Sequence, residues 1–283
     1  MRRPLAQTSI RDALDSALIA LTAAGCETPR LDAELLLAAA MGVDRAVIVS
    51  DPGRPLEPDA ARRFMAYAAR RRDREPVAYI LGRKGFRSLE LDVDPRVLIP
   101  RPETEHLVEA VLESASTGAR VVDVGTGSGA IALALKSERP DLVVLATDAS
   151  AEALDVARAN AERLGLDVAF RHGDLLADVA GPLDAIVSNP PYVEDGAVLA
   201  PDIVRHEPAL ALRAGPDGLD VVRRLLPAAG ATDVHTVALE IGAGQAAAVG
   251  ELIRAAGFPE VAIVNDLAGI ERVLVGRRRD DRP

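Results

Sequence analysis

The sequence predicts an α/β fold, a mostly parallel sheet covered by helices on both faces, preceded by a small all-helical region. Three observations predict it. From about residue 119 onward, short apolar runs alternate with helical segments, the pattern of parallel strands joined by crossover helices. The first 75 residues carry helical periodicity alone. The chain is 283 residues long, which suits one large domain joined to a smaller one.

In chain order, Ser9 and Asp12 form a capping-box start, Leu14, Leu18 and Leu21 follow at helical spacing, and Gly25 can stop that helix. A second helix is expected from Thr28-Pro29 to Gly42, carrying Leu31, Leu35 and Leu36. After the turn-like Asp51-Pro52-Gly53, a third runs from Pro58 to Arg72 with Phe64 and Met65. The run Arg70-Arg71-Arg72-Asp73-Arg74 reads as a solvated helix end favoured by the helix dipole, with a docking patch for a partner as the alternative. Residues 1–75 are thus the helical domain and 76–100 a linker, where the alternation of Phe86-Arg87-Ser88-Leu89-Glu90-Leu91-Asp92-Val93 signals an exposed strand or hairpin.

The α/β domain is expected over 101–276. Pro100-Arg101-Pro102-Glu103-Thr104-Glu105 leads into a helix with Leu107, Val108, Val111 and Leu112. Seven strands are then expected: Arg120 to Val124, Leu142 to Thr147, Val168 to Phe170, Asp184 to Ser188, Val234 to Ile241, Val261 to Asn265 and Arg272 to Val275. The charged tail 277–283 is expected to be disordered.

Composition narrows the function classes. No stretch approaches the ~18 apolar residues of a membrane span, and Met1-Arg2-Arg3-Pro4 leads into no signal segment, so a soluble, cytoplasmic protein is expected. Cys26 is the single cysteine, and the four histidines show no metal-ligand spacing, so no metal is expected. With 33 basic and 43 acidic residues the net charge is 33 − 43 = −10, which argues against coating a phosphate backbone. Three Tyr, four Phe and no Trp leave few platforms for stacking bases, so no direct nucleic-acid partner is expected.

Two motifs carry chemistry. Val121 to Ala132 reads as a strand, a glycine turn (Gly125, Thr126, Gly127, Ser128, Gly129) and a helix start, which lets the backbone approach a ligand and offers free N–H groups to it. The glycines alone also satisfy a dinucleotide pattern, and Asp148, at the end of the second strand, is placed to grip ribose hydroxyls of either cofactor. Asp123 breaks the tie, because a carboxylate beside the loop suits a ligand bearing an ammonium group and repels pyrophosphate. S-adenosylmethionine has that group. In His172-Gly173-Asp174-Leu175, after the third strand, a side chain could meet the adenine ring, and a simple turn is the competing reading.

The second motif is Asn189-Pro190-Pro191-Tyr192, at the carboxyl end of the fourth strand and on the same sheet edge as the glycine loop. Proline stiffens this segment and extends Asn189, so fixed oxygen acceptors can hold both hydrogens of a planar NH2 group. As such a nitrogen attacks a sulfonium methyl it gains positive charge, and the acceptors bind it more strongly toward the transition state. Tyr192 would offer the substrate group a flat face.

These segments resemble the release-factor glutamine N5-methyltransferases of the HemK/PrmC type. The likeness rests on Leu98-Ile99-Pro100-Arg101-Pro102-Glu103-Thr104-Glu105, the Asp123 to Gly129 loop, Ser188 to Tyr192, Glu207-Pro208 with Ala209-Leu210, Gly215-Pro216-Asp217-Gly218-Leu219, Glu240-x-Gly242-x-x-Gln245 and Asp266-Leu267-Ala268-Gly269-x-x-Arg272. His206 and Leu175 stand where relatives often have Tyr and an aromatic residue respectively. The resemblance implies a Rossmann-like class I methyltransferase domain, a hairpin linker and a helical domain that helps bind the release factor. It also implies that Gly125 to Gly129, Asp148 and Asn189 hold S-adenosylmethionine, giving S-adenosylhomocysteine as product, with Leu175 by the adenine. Asn189, Pro190, Pro191 and Tyr192 would bind the glutamine of a Gly-Gly-Gln loop in class I release factors, with Asn189, Pro190 and Tyr192 catalytic. The alternatives are an adenine N6-methyltransferase acting on extruded bases, a glutamine methyltransferase of a ribosomal protein, a nicotinamide-dependent oxidoreductase, and a cofactor-binding regulator without turnover.

Overall fold

The structure, a computed structural model, describes residues 8–177 and 179–279. Its elements in chain order are α1 (Ile10–Ala23), α2 (Pro29–Met41), α3 (Arg45–Ser50), α4 (Pro58–Arg72), α5 (Val77–Leu81), β1 (Arg83–Phe86), β2 (Leu89–Asp92), α6 (Thr104–Ser114), β3 (Arg120–Val124), α7 (Ala130–Glu138), β4 (Val143–Asp148), α8 (Ala151–Leu164), β5 (Ala169–His172), β6 (Ala185–Ser188), α9 (Pro201–His206), a 3-10 turn (Ala209–Ala211), α10 (Asp220–Gly230), β7 (Thr236–Glu240), α11 (Ala246–Ala255), β8 (Glu260–Asn265) and β9 (Glu271–Arg277). They group into two compact units. One holds the chain up to Gly82 together with 199–206, and the other holds 83–198 and the chain from Glu207 onward.

In the helical unit the Ser9–Asp12 capping box is formed, and Gly42 closes α2 in the left-handed conformation that glycine adopts without strain. Ile10, Leu21, Leu36, Leu37, Ile48 and Phe64 make its core. Leu31 and Met65, read from spacing onto the helices, are exposed instead. Helices α3 and α5 went unread because six- and five-residue segments are too short to show a 3.6-residue period.

The basic run ending α4 is only partly the solvated helix end the sequence suggested: Arg72 is exposed, whereas Arg71 and Arg74 are drawn into ion pairs. Arg71 is buried, its Nε donating to Asp32 Oδ2 at 2.7 Å and its Nη1 to Asp202 Oδ2 at 2.6 Å. Arg74 also pairs with Asp202, and it donates to the Ala24 carbonyl at 3.0 Å. Arg70 is tied to Glu75 at 2.7 Å. Glu75 is a near neighbour, but Asp32 and Asp202 lie 39 and 131 residues from Arg71, so no local pattern announces them. Short helix α9, though it lies in sequence between segments of the second unit, is thereby ion-paired into the helical unit.

In the second unit, β1 and β2 form an antiparallel hairpin turning at Arg87-Ser88. It was expected to be exposed, but Phe86 and Leu91 are fully buried, packing with Leu107 and Leu133. Alternation marks one face as apolar without saying what covers it. The seven-stranded sheet has the order β5-β4-β3-β6-β7-β9-β8, parallel except for β9, which runs antiparallel to β7 and β8. Side-chain alternation sends Val121 and Val187 to one face with Leu133 and Leu135 of α7, and Val122 and Ile186 to the other with Leu225 of α10 and Ile253 of α11. The chain order reverses at β3, whose neighbours β4 and β6 lie on opposite sides, and such a switch point opens a crevice at the carboxyl ends of the strands. Ordered structure also extends into the expected tail: β9 reaches Arg277, and the Arg278 guanidinium sits 5.1 Å from the Phe258 ring centroid. Residues 280–283 of that tail lie outside the described residues.

Removing one partner of a buried pair strands the others, so Asp202→Ala should cost roughly 3 kcal/mol of stability in denaturant titration. Asp59→Ala, which removes an exposed pair with Arg62, should cost less than ~1 kcal/mol in the same assay.

Candidate active site

Parallel pairing of Asp123 with Val187 brings the ends of β3 and β6 side by side. The Ser188 hydroxyl, fully buried, donates to the Val124 carbonyl at 2.6 Å and locks that juncture. The glycine loop therefore leaves β3, and the Asn-Pro-Pro-Tyr segment leaves β6, at one edge of the sheet.

In the loop, Gly125, Gly127 and Gly129 all have positive φ, 75°, 56° and 87°, a region strained for other residues. A Cβ added at Gly125 or Gly127 would meet nothing within 4 Å, whereas at Gly129 it would press on Leu133. The first two glycines thus leave backbone open to a ligand, and the third lets α7 pack. Thr126 and Ser128 are buried within the turn. Asp148, half-buried at the end of β4, accepts the Gly127 N–H at 2.9 Å on Oδ2 and the Ser150 N–H at 2.8 Å on Oδ1. It thereby ties the loop to the turn before α8, whose N-cap is Ser150. Each carboxylate oxygen keeps a second lone pair for a hydroxyl.

Asp123 is fully buried beneath the loop. Its Oδ2 accepts the Thr126 hydroxyl at 2.6 Å and the Ala132 N–H at 3.2 Å, while its Oδ1 has no partner among the described residues. Burial pushes its pKa up to about 7, the Thr126 and Ala132 hydrogen bonds only partly opposing it. An acid that costs this much when charged, with one oxygen unsatisfied, suits a site that receives a cation.

Leu175 is half-buried, with the left-handed φ of 54° that a branched side chain rarely adopts. Its carbonyl accepts the Thr147 hydroxyl at 3.1 Å, and the Gly173 N–H reaches the Asp148 carbonyl at 3.0 Å, so this turn is stitched to the end of β4. Asp174 instead makes a surface pair with Arg224.

Asn189 Nδ2 donates to Thr104 Oγ1 at 3.1 Å. Pro190 is buried, and Pro191 and Tyr192 are half-buried. The Tyr192 carbonyl accepts Gln245 Nε2 at 3.1 Å, and Gln245 Oε1 accepts the Gly242 N–H at 2.9 Å, a clamp on the segment's exit. Burial raises the Tyr192 phenol pKa, Glu240 adding to the shift and Arg272 opposing it, so the ring stays neutral. Gly218 has φ 74°, and any Cβ there would collide with the Tyr192 carbonyl. From Val193 the chain is zipped to the 212–214 strip, the Val193 N–H meeting the Leu212 carbonyl at 2.9 Å. Glu207, nearly buried, takes the Ile99 N–H at 3.1 Å and Arg101 Nη2 at 2.5 Å, anchoring the stretch that delivers Thr104.

Thr104, Glu240, Gln245 and Gly218 were not read as site residues. Each sits in a segment noted above for its resemblance, but what it touches depends on contacts between elements distant in sequence. Among the described residues no group of three or more His, Cys, Asp or Glu is placed to hold a metal ion.

A sheet of this order, with a ligand-admitting glycine turn after β3 and the proline-stiffened segment after β6, defines the Rossmann-like methyltransferase class. Comparison with known proteins gives the family. Residues 12–82 match the family model "PrmC N-terminal domain" and residues 102–227 match "Methyltransferase small domain". A release factor glutamine methyltransferase of Deinococcus radiodurans is 43% identical over 95% of this chain and 98% of its own length. Among solved structures, a release factor-specific protein-(glutamine-N5) methyltransferase of Alicyclobacillus acidocaldarius is 35% identical, covering 67% of this chain and 99% of that one with a TM-score of 0.41. The catalytic domain of hMettl16 bound to an RNA hairpin, at 19% identity and a TM-score of 0.56 over 81% of this chain and 85% of that one, shares the fold. The chain belongs to the release factor glutamine methyltransferase family.

Two outcomes test this geometry. Folding takes Asp123 from its ordinary 3.8 to about 7, so the stability it lends is fully present below pH ~4 and is lost as pH rises through ~7. Without ligand, Asp123→Asn should therefore lose less stability than wild type between those limits, by up to a few kcal/mol at ~1.4 kcal/mol per unit of pKa, as read from paired thermal melts. Gly218→Ala should displace the Tyr192 carbonyl and cut turnover ~10-fold or more while leaving far-ultraviolet circular dichroism unchanged.

Proposed function

We propose that this chain transfers a methyl group from S-adenosylmethionine to the side-chain amide nitrogen, N5, of the glutamine in the Gly-Gly-Gln loop of class I peptide chain release factors, in the cytoplasm. S-adenosylhomocysteine would be the second product. The observation that carries the reading is the orientation of the Asn189 carboxamide. With its NH2 committed to Thr104, its oxygen is the atom left to accept a hydrogen from a substrate amide.

The residues present fit the cofactor. Gly125 and Gly127 give room for close approach, Asp148 has lone pairs for the ribose hydroxyls, the unpartnered Asp123 oxygen suits the ammonium charge, and Leu175 stands next to Thr147 where the base would lie. When bound, S-adenosylmethionine supplies an electrophilic methyl on a positively charged sulfur. The rest of the chemistry falls to the chain. Asn189 Oδ1 and the Pro190 carbonyl take the two hydrogens of the glutamine NH2, turning its nitrogen lone pair toward the loop. Because the amide nitrogen becomes more positive as the new bond forms, these acceptors hold the transition state more tightly than the ground state. Tyr192, kept neutral by burial, packs against the carboxamide plane. The helical domain expected over 1–75 would recognise the release factor, with 76–100 as the linker and 101–276 as the catalytic domain.

Labelled methyl from S-adenosylmethionine should appear on purified release factor and not on a variant whose loop glutamine is replaced by Ala; equal labelling of both, or labelling of nucleic acid alone, would falsify the assignment. Asn189→Ala should keep cofactor affinity in calorimetry and lose about 100-fold or more in kcat, as removal of an oxyanion-hole donor does elsewhere.

A further inference from the structure

Glu240 is a buried acid that the proposed chemistry leaves without a task. It ends β7, one position beyond Leu239, which pairs with Ser188 of β6, so its backbone stands next to Asn189. The side chain is essentially inaccessible, and its Oε2 has no partner among the described residues. The Thr104 hydroxyl and the Asn189 carboxamide are the polar groups that face it and hold its pKa down. Thr104 is itself buried at the first turn of α6 and accepts Asn189 Nδ2 at 3.1 Å.

These contacts have one consistent direction. A charged carboxylate can only accept, so it takes the Thr104 O–H and an N–H of Asn189, and the hydroxyl oxygen is then free to accept the remaining N–H. Turning the Asn189 amide over would put its oxygen against the carboxylate and its NH2 toward the substrate, where it would meet the substrate's own NH2. The two orientations have nearly the same shape, so packing alone does not choose between them. The acid chooses.

We propose that Glu240, acting directly and through Thr104, is a positioning residue that holds the Asn189 carboxamide with its oxygen toward the reacting amide. The proposal rests on the methyl-transfer reading above and specifies what makes Asn189 competent for it. The charged and titratable groups facing Glu240 are Arg272 on β9, Glu103 just before α6, and Tyr192 on the segment after β6. Burial is the largest influence and pushes its pKa up to about 7, with the Thr104 hydrogen bond and the Arg272 charge opposing and the Glu103 charge reinforcing. Protonation turns one oxygen into a donor, which can satisfy an inward-turned Asn189 oxygen. The selection is therefore present above pH ~7 and fades below it.

The test is steady-state methylation of release factor from about pH 6 to about pH 9, with cofactor affinity measured by calorimetry, for wild type, Glu240→Gln, Thr104→Val and Thr104→Ser. Wild-type kcat should fall on the acid side of pH ~7. Glu240→Gln, able to satisfy either amide orientation, should lose that acid limb and about 10-fold or more of kcat at high pH, with cofactor affinity within about 2-fold. Thr104→Val should fall comparably, and Thr104→Ser, which keeps the hydroxyl, should recover most of the loss. A merely structural role would move affinity and folding together and would not erase one limb of a pH profile. Persistence of the acid limb in Glu240→Gln, or equal kcat for Thr104→Val and Thr104→Ser, would overturn the proposal. Should Glu240→Gln fail to fold, the Thr104 pair decides by itself. Wild type transferring no methyl to release factor would instead overturn the substrate assignment, so the two failures are distinguishable.

Discussion

Everything at this site depends on the parallel pairing of β3 with β6. The two strands are far apart in sequence, yet their ends are fastened by the buried Ser188 hydroxyl on the Val124 carbonyl, 64 residues away. A parallel sheet sends all its carboxyl ends to one edge, and the reversal of order at β3 keeps crossover segments from covering that edge. The glycine loop and the Asn189 bracket therefore face a common crevice because of backbone hydrogen bonding, before any site side chain is considered. Loss of register by one residue would turn Asp123 and Asn189 to the wrong faces.

Around that juncture, the segments that give the family its likeness act as a support frame for one rigid bracket. Glu207 anchors Ile99 and Arg101, which delivers Thr104 to Asn189. Gln245 clamps the Tyr192 carbonyl, and Gly218 exists because that carbonyl approaches its backbone too closely for a side chain. Asp266 accepts the Ala268 and Ile270 N–H groups and pairs with Arg272 at 2.9 Å, fixing the guanidinium whose charge reaches Glu240 and Tyr192. Proline supplies stiffness within the bracket, and these contacts supply its orientation.

The site also contains two buried acids, Asp123 and Glu240, both pushed up to about 7 by burial and each with one unpartnered oxygen among the described residues. Such groups destabilise the folded chain, and proteins retain them where a ligand or a switchable contact uses the charge. Asp123 lies under the loop that would hold the cofactor, and Glu240 lies behind the residue that would hold the substrate.

Much of this was legible in the sequence, because periodicity, capping residues and glycine turns act over a few neighbours. The Ser9–Asp12 cap, the ends of α4 and β3, the seven strands and the proximity of both motifs to one sheet edge needed nothing beyond local pattern and the rules of parallel sheets. The sequence could also name Asn189 as the residue to watch. It could not say which end of the Asn189 amide faces outward, that Glu240 and Thr104 decide it, that Arg71 and Arg74 are consumed by Asp202, or that the hairpin buries Phe86 and Leu91. Those outcomes belong to tertiary structure alone, since a side chain's direction and partners are set by groups scores of residues away, and hydrogen bonds between such groups leave no period in the chain.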